Sequence, residues 1–308
     1  MTVCLAAFAE KAKAIVLVSD KAVTYGGSDE DSSGSGAMQY DTGARKFKRI
    51  GETLWYALLA GDPTFALNVV SGAEQIIDQN PNFPKSAMSM MACFKAAYKK
   101  RREELVSDRV LSPRLLTKAL LVARSSDLLP LDQEFFFAVT EAARNLKTHT
   151  SLLICGFDSS GEAHIFSVVN PGIVNSHDLV GFHAVGVGAK MAISRLLTLD
   201  TEKEDHLGLA LFQAFDAKVN AEITQGVGYN WDAEILVPGK KAVPLRSDMA
   251  LLIENVYRAY PYTPLSPQTY DFPKKWDKRL FRFCEHIMGR DTKQHSRKST
   301  SPKSKAKR

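Results

Sequence analysis

Thr2-Val3-Cys4-Leu5-Ala6-Ala7-Phe8-Ala9, a charged Glu10-Lys11-Ala12-Lys13 hinge, then Ala14-Ile15-Val16-Leu17-Val18-Ser19-Asp20 is the stretch that decides the fold. Both flanks are continuous apolar runs instead of alternating ones. Strands read this way when both faces of their sheet are covered. The charged hinge between them suits a hairpin turn. The chain therefore opens with two strands that belong at the centre of a layered core.

Outward from that hairpin, Gly26 to Gly43 reads as a loop. It holds Gly26-Gly27, Asp29-Glu30-Asp31 and Gly34-Ser35-Gly36, and nothing in it can build a core. Arg45 to Ile50 and Thr53 to Leu59 resume as strands, and Ala60-Gly61-Asp62-Pro63 breaks them. Pro63 suits a first helical turn. Ala66, Val69, Val70, Ala73 and Ile77 then keep helical spacing, as do Ala87, Met91, Phe94 and Tyr98 after them. Pro113 and Pro130 interrupt a further helical region, and Phe135, Val139, Ala142 and Leu146 predict another helix. Thr150 to Phe157 and Ala163 to Val169 flank the turn Asp158-Ser159-Ser160-Gly161 as a hairpin. Val180 to Val185 predicts one more strand, followed by helices over Ala189 to Leu197 and around Leu207, Leu211 and Phe215. Ala233 to Val237 reads as a last strand. From Lys240 the chain turns proline-rich, with two helices predicted at Asp248 to Ala259 and Lys274 to Ile287.

Strands, helices, strands, helices and a strand, in that order, fit two packed sheets with helices outside them. They fit other mixed α+β arrangements equally well. The chain of 308 residues with 45% hydrophobic content is long enough for a substantial core. No run of 18 apolar residues exists, so no membrane-spanning helix is expected. The N-terminal apolar stretch lacks a basic leader and meets Glu10, Lys11 and Lys13, which does not suit a signal peptide. Cys4, Cys93, Cys155 and Cys284 have no paired spacing. They predict reduced core residues in a cytoplasmic protein, with neither a zinc site nor a disulfide framework.

The net charge of +6 is localised: residues 289–308 carry eight Lys or Arg and one Asp, leaving the other residues at −1. The body is near neutral and the tail is a basic, apolar-poor segment expected to be disordered. With no aromatic residue in the tail to stack bases, specific nucleic-acid binding is not expected.

Chemistry starts at Thr2. Threonine is small enough for removal of Met1, and an N-terminal threonine is nucleophile and base in one residue. Its hydroxyl attacks while its own α-amine, with a pKa of about 8, takes the proton. On its own, Thr2 reads as an ordinary second residue.

Its context adds to it. Thr2 to Ala7, the hairpin, and Asp20-Lys21-Ala22-Val23-Thr24-Tyr25-Gly26 resemble the start of proteasome β-type peptidases, and most nearly the peptidase subunit of the bacterial ATP-dependent heat-shock protease. That family has a mature N-terminal Thr and an Asp-x-x-x-Thr-x-Gly segment, matched by Asp20, Thr24 and Gly26. It has a lysine opening the third strand, matched by Lys46-Phe47-Lys48-Arg49-Ile50, with Lys48 as the alternative one pleat along. It has Ala-Gly-Gly before the first helix, and Ala60-Gly61-Asp62 is similar. The Thr150 to Val169 hairpin and Val185-Gly186-Val187-Gly188 also match its layout. The resemblance spans about residues 2–238.

The resemblance implies a four-layer αββα sandwich of the N-terminal-nucleophile hydrolase type. It implies Thr2 as nucleophile, Lys46 as the cation beside it, Asp20 holding Lys46, and the Gly61 N–H stabilising an oxyanion. Thr24 would hydrogen-bond an extended substrate through its backbone, while Val23, Ala44 and Leu59 would line an apolar specificity pocket. The domain expectation is 1–239 for the hydrolase body, 240–288 for a helical extension and 289–308 for the tail. The expected activity is that of a threonine peptidase or amidohydrolase needing no cofactor or metal. The resemblance also implies an oligomer or ring, a peptide or protein substrate and an ATPase partner, with neither specific nucleic acid nor membrane.

Departures keep two other readings open. Val187 stands where the family has a serine. Thr224-Gln225-Gly226-Val227-Gly228 stands where it has Asp-x-x-Ser-Gly, and Ala22 replaces a polar or basic residue. A catalytically silent scaffold subunit and an amidase for a small non-peptide substrate are the alternatives. His149, His164, His177, His183 and His206 show no metal-ligand spacing, and Gly186-Val187-Gly188 lacks the third glycine of a dinucleotide loop. Tyr257, Tyr260, Tyr262, Tyr270 and Trp276 are expected to pack the extension onto its own body, with a partner surface as the alternative.

Overall fold

The computed structural model describes residues 2–25, 38–41, 45–80, 83, 86–118, 133–259 and 278–289. Among these the chain is mixed α/β, with two five-stranded antiparallel sheets, a two-stranded pair and seven α-helices.

The first sheet contains β1 (Val3–Ala9), β2 (Ala14–Asp20), β10 (Phe182–Gly186), β11 (Trp231–Leu236) and β12 (Val243–Pro244), in the order β10-β1-β2-β11-β12. The second contains β5 (Phe47–Arg49), β6 (Trp55–Ala60), β7 (Ser151–Phe157), β8 (Ala163–Val169) and β9 (Ile173–Ser176), in chain order. A short pair, β3 (Ala22–Tyr25) and β4 (Met38–Asp41), continues beyond β2. The helices are α1 (Pro63–Asp78), α2 (Ala87–Val106), α3 (Gln133–Asn145), α4 (Ala189–Thr198), α5 (Leu207–Ala221), α6 (Ser247–Ala259) and α7 (Lys278–Ile287).

The continuous apolar runs that open the chain are explained by what covers them. Every residue of β1 and β2 is buried. Val3, Leu5, Ala7, Val16 and Val18 join one core with α4, α5, α6 and α7. Cys4, Ala6, Phe8, Ile15 and Leu17 join a second core with Tyr56, Leu58, Leu153, Cys155 and Ile165 of the other sheet. The far side of that second sheet, through Trp55, Ala57, Ile154, Phe166 and Val168, forms a third core with Phe65, Val69, Phe94 and Tyr98 of α1 and α2. Alternate residues of one strand thus serve two cores, as the strand period of two requires.

The extension is built into the first of these cores. Met249, Ile253, Leu280, Cys284 and Ile287 are buried in the same cluster as Val3 and Leu5. Tyr257 meets Phe215 edge-on, with ring centroids 5.5 Å apart. Its packing thus follows the expectation for that residue. Tyr260, Tyr262, Tyr270 and Trp276 lie outside the described residues, as do the tail beyond Gly289 and most of the Gly26 to Gly43 segment.

Local chemistry sets the helix starts. The Asp62 carboxylate accepts from the N–H groups of Thr64 at 2.8 Å and Phe65 at 3.1 Å, with Pro63 in the first turn. Ser86 caps α2 through the Ser89 N–H at 3.3 Å. Tyr98 fixes α2 to the second sheet, its hydroxyl lying 2.5 Å from Thr148 Oγ1 and 3.0 Å from the Thr150 carbonyl. All four cysteines are free and buried.

Four strands differ from the sequence expectations, among them Ala22–Tyr25, which lies between the second apolar run and the presumed loop. Met38–Asp41, inside the presumed loop, is a strand because Ala22 to Tyr25 offers it a paired edge. Ile173–Ser176 adds a largely exposed edge strand whose apolar signal is only the Ile173-Val174 pair, too short to mark a strand. Val243–Pro244 follows what read as the last strand and pairs with Glu234 and Ile235 at the sheet edge, where proline is tolerated. No helix among the described residues is long and apolar enough to cross a membrane.

Candidate active site

The end of β2 carries Asp20 against the first residue before β1. The Thr2 hydroxyl donates to Asp20 Oδ1 and accepts from Lys46 Nζ, both as short contacts. The Val3 N–H also donates to Asp20 Oδ1, at 2.9 Å. Lys46 Nζ lies 2.8 Å from Asp20 Oδ1 and 2.7 Å from the Ala22 carbonyl. All three N–H bonds of the ammonium therefore have acceptors: hydroxyl, carboxylate and carbonyl. Asp20 is wholly buried, Thr2 is 4% exposed, and the Lys46 side chain retains 11% exposure.

The second oxygen of Asp20 faces backbone. Ala22 N–H donates to Oδ2 at 3.3 Å and Gly228 N–H at 3.0 Å. Five donors thus converge on one carboxylate, which satisfies a charge that burial would otherwise make expensive. Of the two lysines the sequence left open, Lys46 meets Thr2. Lys48 instead pairs with Glu74 on α1, at 3.0 Å.

Gly61 follows β6 and has φ +97°; a Cβ there would sit 1.8 Å from the His149 carbonyl oxygen. Leu59, two residues earlier, meets the site: its N–H donates to the Lys46 carbonyl at 3.1 Å and its own carbonyl accepts from the Cys4 thiol at 3.5 Å. Gly186 approaches Thr2 itself: with φ +100°, a Cβ would lie 2.2 Å from the Thr2 carbonyl oxygen. That is the physical reason for glycine in this segment. Gly188 N–H donates to the Thr2 carbonyl at 3.4 Å. Burial pushes the Cys4 thiol up to about 12, against the opposing pull of Lys46, so Cys4 is an inert neighbour of the site.

The remaining expected residues are placed only in part. Val23 and Thr24 lie on β3, opposite Tyr40 and Gln39. Ala44 lies outside the described residues. Val187 is largely exposed and Val227 is buried against Gly188, so neither position brings a hydroxyl to Thr2.

Sequence reasoning did not find Gly228, Ala22 and Val3 as partners of Asp20. They donate through main-chain N–H groups, which every residue type except proline carries, so no side-chain signal marks them.

No known protein-family model matches the chain, and no curated protein matches it. Among solved structures, it is similar to eukaryotic HslV from Trypanosoma brucei, with a TM-score of 0.46 and 21% identity, over 77% of this chain and 99% of that one.

Two other features lie apart from Thr2. Asp158, Glu162 and His164 bring ligand-type atoms within 4.8 Å of one another at the β7–β8 turn. Their groups are largely spoken for, since Asp158 Oδ1 accepts from Ser160 and Glu162 N–H groups and His164 Nδ1 lies 2.8 Å from Asp178. A cavity of about 500 Å³ opens beside β11 and α6, lined by Lys21, Trp231, Asp232, Ser247 and Glu254, with Lys21 and Asp232 paired at 2.9 Å.

Proposed function

We propose that the protein is an N-terminal threonine amidohydrolase of the proteasome-like type, built on a four-layer αββα sandwich. The carrying observation is the Thr2 hydroxyl held between the Asp20 carboxylate and the Lys46 ammonium in a site nearly closed to water. The layered fold is supported by the three separate cores: helices on one sheet, sheet on sheet, and sheet on helices.

Removal of Met1 frees the Thr2 α-amine. Thr2 Oγ1 then attacks the carbonyl carbon of a peptide or other amide, and its proton passes to that amine. The Lys46 charge lowers the proton affinity of both groups, and Asp20 holds the ammonium in place. The Gly61 N–H receives the developing oxyanion. The amine passes the proton to the leaving nitrogen, an ester to Thr2 remains, and water hydrolyses it.

Peptide or protein is the substrate class, with a preference for apolar side chains, because Val23, Ala44 and Leu59, the sequence positions expected at the specificity pocket, are all apolar. Residues 1–239 form the catalytic body, and 240–288 an extension that completes its core. An oligomer or ring of like copies, an ATPase partner and a cytoplasmic location belong to the same reading.

Intact-mass measurement and labelling with an epoxyketone or β-lactone test it. Loss of Met1 and one label on Thr2, abolished in Thr2→Ala, are expected; a retained Met1 excludes the mechanism. A second reading, a silent scaffold subunit of a like assembly, is favoured by the absence of a hydroxyl at Val187 and Val227. An unlabelled protein without Met1 decides for it. A small non-peptide amide is the remaining substrate class, decided by a substrate panel.

A further inference from the structure

Lys218 sits inside α5 with no exposure at all, an expensive place for an ammonium. It is held by Glu222, one turn on, and by the carbonyl of Tyr229, both as short contacts. Glu222 closes α5, and the chain then turns through Thr224 to Gly228 before entering β11. The Tyr229 carbonyl is two peptide units along the chain from the N–H that Gly228 directs at Asp20 Oδ2, 3.0 Å away. One residue further on, the Asn230 carbonyl accepts from the Lys21 N–H at 2.9 Å.

Burial raises the Glu222 carboxyl above its ordinary range against the pull of Lys218, and the Asp20 charge adds to that rise. The Asp20 charge therefore reaches Glu222, and Lys218 is the cation paired with that second carboxylate.

We propose that the buried Lys218–Glu222 pair is a positioning device for the active site. It grips the Tyr229 carbonyl, fixes the turn before β11, and so holds the Gly228 N–H on Asp20. Lys218 and Glu222 touch neither Thr2 nor substrate; they act through Asp20, which in turn sets Lys46. This rests on the Thr2 reading above for its catalytic consequence, but not for its structural one.

The discriminating variant is Lys218→Met with Glu222→Leu. Replacing a buried ion pair by apolar groups of similar size is often neutral for folding, while the grip on Tyr229 is lost. Thermal unfolding near that of the wild type is expected, with amide exchange of the Gly226 to Asn230 segment at least about tenfold faster. The rate constant for covalent labelling of Thr2 is expected to fall about tenfold, the effect of one lost bond to a charged group, while the saturation constant for the label is unchanged. If the double variant does not fold, Glu222→Gln keeps the shape of the pair and moves both readouts the same way by a smaller factor. Wild-type exchange in that segment overturns the proposal. So does fast exchange with an unaltered labelling rate constant. If the wild type takes no label, the Thr2 reading fails, and the exchange measurement alone judges whether Lys218 holds the turn.

Discussion

Lys46 Nζ lies 2.8 Å from Asp20 Oδ1, and the Asp20 side chain has no exposed surface. Removing the cation alone leaves a buried carboxylate with the Thr2 hydroxyl and three backbone N–H groups as its donors. Lys46→Met is expected to cost about 3 kcal/mol, at the lower edge for a broken buried pair because Val3, Ala22 and Gly228 still donate. It also abolishes labelling of Thr2. Lys48→Met, which breaks a partly exposed pair with Glu74, is expected to cost under about 1 kcal/mol and to leave labelling intact. Urea unfolding and label mass spectrometry on the two variants check this, and equal effects would refute the assignment of Lys46.

Glycine substitutions separate backbone strain from crowding. Gly186→Ala and Gly161→Ala both place a side chain at positive φ, at +100° and +83°. At 186 the new Cβ also meets the Thr2 carbonyl oxygen at 2.2 Å, whereas at 161 nothing lies within 4 Å. Gly161→Ala is expected to lose about 1–2 kcal/mol and keep full labelling. Gly186→Ala is expected to lose labelling, because Thr2 has to shift. A labelled Gly186→Ala protein would show that the Thr2 main chain tolerates displacement.

The rings of His177 and His183 stack with centroids 3.5 Å apart. Burial lowers both below the ordinary histidine value, with Asp178 opposing the shift at His177. His183 falls to about 4, its neighbour His177 adding to the effect. The folded protein therefore resists protonation that the unfolded chain accepts near pH 6.5. The contribution is complete above about 6.5 and is lost as pH falls toward about 4. His164, raised chiefly by its hydrogen bond to Asp178, works in the opposite sense, losing its contribution as pH rises. Stability curves of wild type and His183→Gln are expected to converge on acidification. Parallel curves would exclude the pair as the cause.

Ending the chain separates the extension from the tail. A protein ending at Gly289 is expected to keep its stability and any labelling, because the basic segment beyond it has almost nothing apolar to bury. One ending at Gly239 removes Met249, Ile253, Leu280, Cys284 and Ile287 from the core that backs β1, and is expected not to fold stably. Single truncations such as Leu280→Ala and Ile253→Ala are expected to cost about 2–5 kcal/mol each. A stable, soluble 1–239 fragment would mean that this core closes without them.

The legible parts of the molecule are those where side-chain type carries the information. The two fully apolar runs at Val3 and Ala14 predicted covered strands, and they form the centre of the first sheet. Thr2, Asp20 and Lys46 were visible as residue types and do meet. What remained unreadable depends on pairing partners or on the main chain. Met38–Asp41 and Val243–Pro244 are strands because an edge happens to be adjacent. Gly228 matters through an N–H that sequence does not distinguish from any other. The Lys218–Glu222 pair had the spacing of an ordinary helix-surface salt bridge; only the packing of α5 against the sheet reveals that it is buried.

The Asp20–Gly228 bond joins residues 208 positions apart. Ribosomes deliver Thr2, Asp20 and Lys46 early and Gly228 late. A nascent chain thus carries the Thr2 hydroxyl for most of its synthesis without the turn that completes the carboxylate's surroundings. The order of translation leaves the buried carboxylate without its last backbone donor until β1, β2 and β10 of the first sheet have all been made.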